Sequence, residues 1–225
     1  MSSETNFNQQ KSLTLAERLQ LVKKPILGHE EQFLLVNDVH PQIRLMLAQR
    51  NDICEPILQI LQDDTQKIRS VVNRHPIIQK VLRDLYPSTI KDQELSKYVY
   101  HWNHAIREII AQHPNISSDN LSILSVDKIP MVRAAVASNP NTPKQLLDRL
   151  AIDNTQQVRL ALTQRLELPE STIKLLAEDK SGKIVRSLLK NHGVKVIGVL
   201  KNKKAIGRNV DISDQRFMEI IAYRT

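Results

Sequence analysis

Apolar residues recur along this chain at the spacing of a helix face, and the pattern repeats. The string IRLMLAQR from Ile43 returns as IRSVVNRH from Ile68, IREIIAQH from Ile106, VRAAVASN from Val132, VRLALTQR from Val158 and VRSLLKNH from Val185. In each string the aliphatic residue before the arginine, with the residues three and four further on, makes an apolar stripe, as in Val132, Ala135 and Val136. Such a stripe is one buried face of a helix. A second amphipathic segment precedes it: Ile57, Leu58 and Leu61; Leu121 and Leu124; Leu146, Leu147 and Leu150; Ile173, Leu176 and Ala177. Each unit therefore predicts a pair of helices. The spacings between the arginines Arg44, Arg69, Arg107, Arg133, Arg159 and Arg186 are 25, 38, 26, 26 and 27, so one interval is longer than the rest by about a dozen positions.

The punctuation between these segments agrees with helix pairs. Pro41 and Pro130 stand where second helices begin, a position at which the missing N–H costs nothing. Thr142-Pro143-Lys144-Gln145 predicts an N-cap, a Pro at the first helical position and a Gln that closes a capping box. Asn139-Pro140 marks a break between units, because proline cannot continue the hydrogen-bond ladder and restricts the residue before it.

The stretch VRAAVASNPNTPKQLLDRLAIDNTQQVRLAL, Val132 to Leu162, resembles the leucine-rich repeat variant, a short relative of HEAT and armadillo repeats. The resemblance is close over about two units and degenerate over four more, some four fifths of the chain. It implies an all-α fold, a right-handed α-solenoid of about six short helix-pair repeats in a HEAT/armadillo-like superhelix. It implies little about function beyond a binding scaffold. The founding type of that family carries a cysteine-ligated iron–sulfur cluster ahead of its repeats; here no cysteine precedes Cys54, and that feature is not carried over. The expected layout is a disordered tail over 1–11, N-terminal capping helices over 12–36, repeats over 37–193 with an insertion near 84–102, and a basic C-terminal arm with a capping helix over 194–225. In that last helix Ser213 is the expected cap, with Phe217, Ile220 and Ile221 on its apolar side.

Composition narrows the picture. Hydrophobic residues make up 41% and charged residues 25%, enough apolar surface to fold. Aromatics at 4% and only five Gly favour stacked helices over strands and hairpins. A single cysteine excludes an intramolecular disulfide and any site built from several thiolates, which fits a reducing cytoplasm. Residues 1–11 lack the apolar core of a secretory signal, and nowhere do about 18 apolar residues run together, so neither export nor a membrane partner is expected. The net charge is +8, but residues 181–225 hold ten Lys and Arg against Asp211, Asp214 and Glu219, a net of +7. The basicity belongs to the C-terminal end.

Four features carry candidate chemistry. The first is the arginine row itself. Asp38, Asp63, Asp127 and Asp153 stand six residues before an arginine, Asp179 stands seven before Arg186, and His101 takes that place before Arg107. HEAT-like repeats carry an Asp and an Arg at this offset in an ionic ladder between repeats, so the resemblance implies structural pairing over phosphate contact. The second is a row six residues after each arginine: Arg50, His75, His113, Asn139, Arg165 and His192, with Arg74 and Lys190 beside it. These are expected to cap second helices, the alternative being a basic ridge for an anionic polymer.

The third is the stretch Tyr86 to Trp102, which holds four of the eight aromatics; Tyr98, Tyr100 and Trp102 are candidates for an aromatic platform. His101, His104 and Glu108 share one helical face there, a spacing too loose to predict a metal site. The fourth is the segment from Val194, with Lys195, Lys201, Lys203, Lys204 and Arg208 unopposed and glycines that do not follow a phosphate-loop pattern. A flexible basic arm is expected. No Ser-His-Asp arrangement, nucleophile elbow, HExxH or CxxC appears. The expected function is thus non-enzymatic binding without cofactor or metal. Nucleic acid would be held by the arm and by Arg50, Arg74, His75, Arg165, Lys190 and His192. The alternatives are a protein-interaction scaffold or, third, a HEAT-like alkylpurine DNA glycosylase.

Overall fold

The computed structural model describes residues 13–205, with side-chain surroundings through residue 193. Among the described residues the chain is all-helical, with no strand, and its helices pack as repeating pairs. It divides into two compact units, Met1–Pro87 and Ser88–Thr225. The first contains α1 (Leu15–Leu21), α2 (His29–Leu35), α3 (Pro41–Ala48), α4 (Glu55–Leu61), α5 (Gln66–Asn73) and α6 (Pro76–Asp84). The second contains α7 (Asp92–Leu95), extended by a 3-10 turn (Ser96–Tyr98), then α8 (His104–Gln112), α9 (Ser118–Leu124), α10 (Pro130–Ser138), α11 (Lys144–Leu150), α12 (Gln156–Thr163), α13 (Glu170–Ala177) and α14 (Gly182–Ala205). No described helix is long and apolar enough to cross a membrane.

In the second unit the helices that carry the arginine strings stack directly on one another, α8 on α10, α10 on α12 and α12 on α14. Their buried stripes recur at one fixed interval as Ile106 and Ile110, Val132 and Val136, Val158 and Leu162, then Ile184 and Leu188. The preceding helices supply Leu121 and Leu124, Leu147 and Leu150, Ile173 and Leu176 from the other side. Every helix in the array is seven to nine residues long apart from α7 and α14. Isolated helices of that length are marginal in water, so they persist because each apolar stripe is covered by the next pair. In the first unit the same arrangement places α3 on α5, over Ile43, Leu47, Ile57, Leu58, Leu61, Ile68 and Val72.

Local chemistry sets the helix starts. Pro41, Pro76 and Pro130 open α3, α6 and α10, and Thr14 and Glu17 form a reciprocal capping box at α1. At α11 the expected box is not made. The Thr142 hydroxyl instead donates to the Val136 carbonyl at 2.5 Å, and Pro143 takes the cap position. That carbonyl, near the end of α10, also accepts the Asn139 N–H at 3.1 Å, so the Thr142 hydroxyl adds a second donor there and is spent on the preceding helix end rather than on the N-cap of α11.

The extra residues enter earlier than the aromatic-rich stretch suggested. One repeat period before α9 lie Asp92–Leu95 and the 3-10 turn, with Leu95 buried at the place of Leu121. The first helix of that pair therefore keeps its register, though as one short α-turn and a 3-10 turn, and α6, anchored by the buried Ile78 in the first unit, is the addition. Residues 194–205, expected as a flexible arm, continue α14 as helix beyond a break at His192 (φ −131°, ψ 20°). The expected tail over 1–11, and Ser213, Phe217, Ile220 and Ile221 of the expected capping helix, lie outside the described residues.

Candidate functional site

Arginines of the row bridge successive units. Arg133 donates through Nε and Nη2 to the two oxygens of Asp153, at 2.7 and 2.9 Å, while its Nη1 donates to the Asp127 carbonyl at 2.7 Å. Arg107 meets Asp127 at 2.5 and 3.0 Å and the His101 carbonyl at 2.6 Å. Arg159 meets Asp179 at 2.5 and 3.2 Å and the Asp153 carbonyl at 2.6 Å. In the first unit Arg44 makes the same pair with Asp64 and donates to the Asp38 carbonyl. The six-residue offset seen in the sequence thus marks the backbone contact, while the carboxylate serves the arginine twenty residues before it.

Each aspartate also closes the turn into its second helix. Asp127, Asp153 and Asp179 accept the N–H of Ile129, Thr155 and Ser181, all at 2.8 Å. Burial alone would push these carboxyls up, but the paired guanidinium and the turn N–H together outweigh it and hold them below the ordinary carboxylate value. Asp64 is lowered chiefly by Arg44. Arg44, Arg133 and Arg159 are in turn raised, first by the hydrogen bonds to their carboxylates.

Matching of the strings misassigns several members of this ladder. Asp63 is exposed and Asp64 holds the ladder position, because Arg69 lies one residue closer to Arg44 than the regular period requires. Arg69 is exposed and donates to the Gln62 and Asp64 carbonyls at 3.1 and 3.2 Å, with no carboxylate in ion-pair range among the described residues. Twenty residues on from Arg69 the chain has Thr89. Arg186 is exposed as well: Ile184, not Val185, is the buried stripe residue, so the ladder position falls on Val185. His101 fills the aspartate place as a turn closer, its Nδ1 accepting Asn103 N–H at 3.0 Å. A member that the strings missed is Arg18, bonded to the buried Asp38 at 2.7 Å. It stands one full period before Arg44, so the period alone would have found it.

The second row stitches units together through the backbone. Arg165 Nη1 donates to the Ala137 and Asn139 carbonyls at 2.9 and 2.5 Å, and its Nη2 to Pro140 at 3.2 Å. Arg50 repeats this on Val22, Lys24 and Pro25 at 2.8, 2.7 and 3.4 Å, and also pairs with Asp52. Asn139 donates to Ala111 and His113 at 2.8 and 3.1 Å, and His75 Nε2 meets the Arg50 carbonyl at 2.8 Å. These side chains cap the preceding unit's second helix rather than their own. In the last unit Asn191 takes the place assigned to His192, donating to Thr163 at 2.8 Å, while His192 is buried at the helix break.

Of the expected basic ridge, Arg50, His75 and Arg165 are thus committed to carbonyls, whereas Arg74 and Lys190 are exposed. For Lys195, Lys201, Lys203 and Lys204 only the helical backbone is described, and Arg208 lies outside the described residues. Replacing Asn139 by Ala removes the side-chain donor to the Ala111 carbonyl, one of two donors to the His113 carbonyl and the acceptor of the Asn141 N–H. A loss of about 1–2 kcal/mol is expected in a urea titration, and an unchanged midpoint would show that water satisfies these groups equally well.

The loops between paired helices present a third row, which the sequence did not single out as a set. Tyr100, Val126 and Ile152 each stand immediately before the ladder position of successive units, and are 80%, 54% and 67% exposed. Tyr98 and Trp102 flank the first of them, both half-buried. His101 lies between, 5.2 Å from the Trp102 ring and stacked on it, and 6.0 Å from the Tyr98 ring. Of the three residues of the expected aromatic platform, Tyr100 is exposed and stands at the head of this row. Between the next two loops an open groove of about 430 Å³ is lined by Val126, Lys128, Arg149, Ile152 and Asn154 above the Arg133–Asp153 pair. A groove of about 460 Å³ occupies the equivalent place over Arg44 and Asp64 in the first unit. Lys128, Arg149 and, one loop further, Lys180 are exposed and make no ion pair among the described residues. His101, His104 and Glu108 do not form a three-ligand cluster, and among the described residues no such cluster occurs.

No family profile matches the chain, and no curated protein matches it. Among solved structures it is similar to one described as a leucine-rich repeat variant with a novel repetitive protein structural motif, at 19% identity over 76% of this chain and 78% of that chain, with a TM-score of 0.38.

Proposed function

We propose that this chain is a non-catalytic repeat scaffold that holds a protein partner. Stacked helix pairs suggest a binding scaffold, since they offer a long surface made of near-identical loops. What favours a protein over a nucleic acid is how the cations divide. Arg44, Arg107, Arg133 and Arg159 face carboxylates, and Arg50, His75 and Arg165 face carbonyls. The loop row leaves aliphatic and aromatic surface outward with a few unpaired cations beside it. Nucleobases favour successive π faces, and Val126 and Ile152 supply none.

A nucleic-acid reading keeps its support in the basic C-terminal end, from Lys183 and Arg186 onward. Anisotropy titrations with labelled single-stranded and duplex DNA and RNA separate the two. Weak binding, indifferent to sequence and gone by about 200 mM salt, is the expected result. Tight binding at that salt would reverse the reading. So would a slope of log affinity against log salt that falls by about one unit for each of Lys201, Lys203, Lys204 and Arg208 replaced by Ala.

A further inference from the structure

We infer that the row Tyr100, Val126 and Ile152 is a docking surface for an extended, polyproline-II-like segment of a partner protein, with apolar side chains at every third position and carboxylates between them. The inference rests on the scaffold reading and names the partner's chemistry.

The spacing of the row sets the conformation of its occupant. Packed helices lie about 8–10 Å apart, and α8, α10 and α12 stack in succession, so the loops that precede them recur at about that interval. A polyproline II chain has three residues per turn and rises about 3.1 Å per residue. It therefore presents every third side chain on one side at about 9 Å, one per unit of the row. A β-strand presents alternate residues at about 6.6 Å and would fall out of step by the second unit.

Charge sets the residues between the anchors. The carboxylates closest to the row, Asp127 and Asp153, are each neutralised by a bidentate arginine. Lys128 and Arg149 share the groove with Val126 and Ile152 and make no ion pair among the described residues, and Lys180 follows at the next loop. A segment with Glu or Asp between its apolar anchors would meet these cations, while a basic segment would be repelled. The row is also held in place before anything binds. Each loop is tied by the turn closed at its ladder residue and, through that residue's carbonyl, by the guanidinium six residues further on in its own helix pair. Little ordering is then left to oppose binding.

The test is a peptide array read with the labelled full-length chain. Its peptides carry Leu or Pro at every second, third or fourth position, with Glu, Lys or Ser between. Peptides with three-residue spacing and Glu between should give the strongest signal. In solution the best of them should lose about tenfold or more in affinity with Val126→Asp plus Ile152→Asp. Lys128→Glu plus Arg149→Glu should shift the preference toward Lys-bearing peptides, and Lys80→Glu, an exposed change in the first unit, should leave binding unaltered. Circular dichroism melts confirm folding, and Ile152→Ser replaces the double aspartate variant if that variant melts early. A preference for basic peptides, or for another spacing, overturns the inference. Binding that survives every row variant also overturns it but leaves a protein scaffold acting through another face. Failure of the wild-type chain to bind any peptide, with tight salt-resistant oligonucleotide binding, overturns both readings.

Discussion

Arg133→Ala should lower the melting temperature by roughly 5–10 °C, whereas Arg69→Ala, a change in a string of the same pattern, should barely move it. Arg133 joins its own loop to the next through one carbonyl and one carboxylate, and the side chains of Arg133 and Asp153 are 15% and 11% exposed. Truncation leaves the partly buried Asp153 carboxylate with only its contacts to the backbone and side chain of Thr155. Exposed pairs contribute about 0–1 kcal/mol, and breaking a fully buried one costs about 3–5 kcal/mol. A pair with this residual exposure falls between, at about 2–3 kcal/mol, and for a chain of this size each kcal/mol moves the midpoint by about 2–4 °C. Arg69 has no carboxylate in ion-pair range among the described residues and is exposed, so its loss should stay within about 0.5 kcal/mol. A double-mutant cycle on Arg133 and Asp153 should show strong coupling. Equal melting of the Arg133 and Arg69 variants would refute the ladder as a stabilising device.

Acid should unfold this chain over a narrow window below about pH 4, the ordinary range of carboxyls in an unfolded chain. Asp64, Asp127, Asp153 and Asp179 all titrate lower in the folded protein than in the unfolded one. Across that interval the unfolded state binds more protons, so stability rises with pH. The contribution is complete above the unfolded value and is lost as pH falls through the folded values. Because the four groups belong to equivalent links of the array, protonation removes several links together rather than one. Urea midpoints measured from about pH 7 to about pH 2.5 should vary little from this source above about pH 5 and then fall steeply. Asp153→Asn should start lower at neutral pH and fall less steeply in acid, having lost one of the four linked protons. A flat profile into strong acid would show that these pairs contribute nothing to folding.

The apolar period determined the helix pairs, because a stripe at i, i+3 and i+4 can be buried on one side only, whatever surrounds it. The repeat interval determined that Asp127 and Arg133 belong to one class with Asp153 and Arg159. Which aspartate meets which arginine lay beyond it. Arg133 reaches Asp127 through a carbonyl and Asp153 through a carboxylate, and only the stacking of α10 on α12 decides between partners six and twenty residues away. The same holds for Arg165, whose targets lie 25 to 28 residues back along the chain. As letters, an arginine or asparagine at a helix end reads as a cap for its own helix. A one-residue change in spacing at Arg186 made a similar string stand for a different position, since packing follows the buried stripe and not the arginine, whereas Arg69 keeps its place behind the buried Ile68 and lacks a carboxylate twenty residues on. Val126 and Ile152 look like further members of the apolar pattern. Only tertiary structure turned them outward, because the last turn of each first helix is filled by Leu124 and Leu150, and the residue before the ladder aspartate has no neighbour left to cover it.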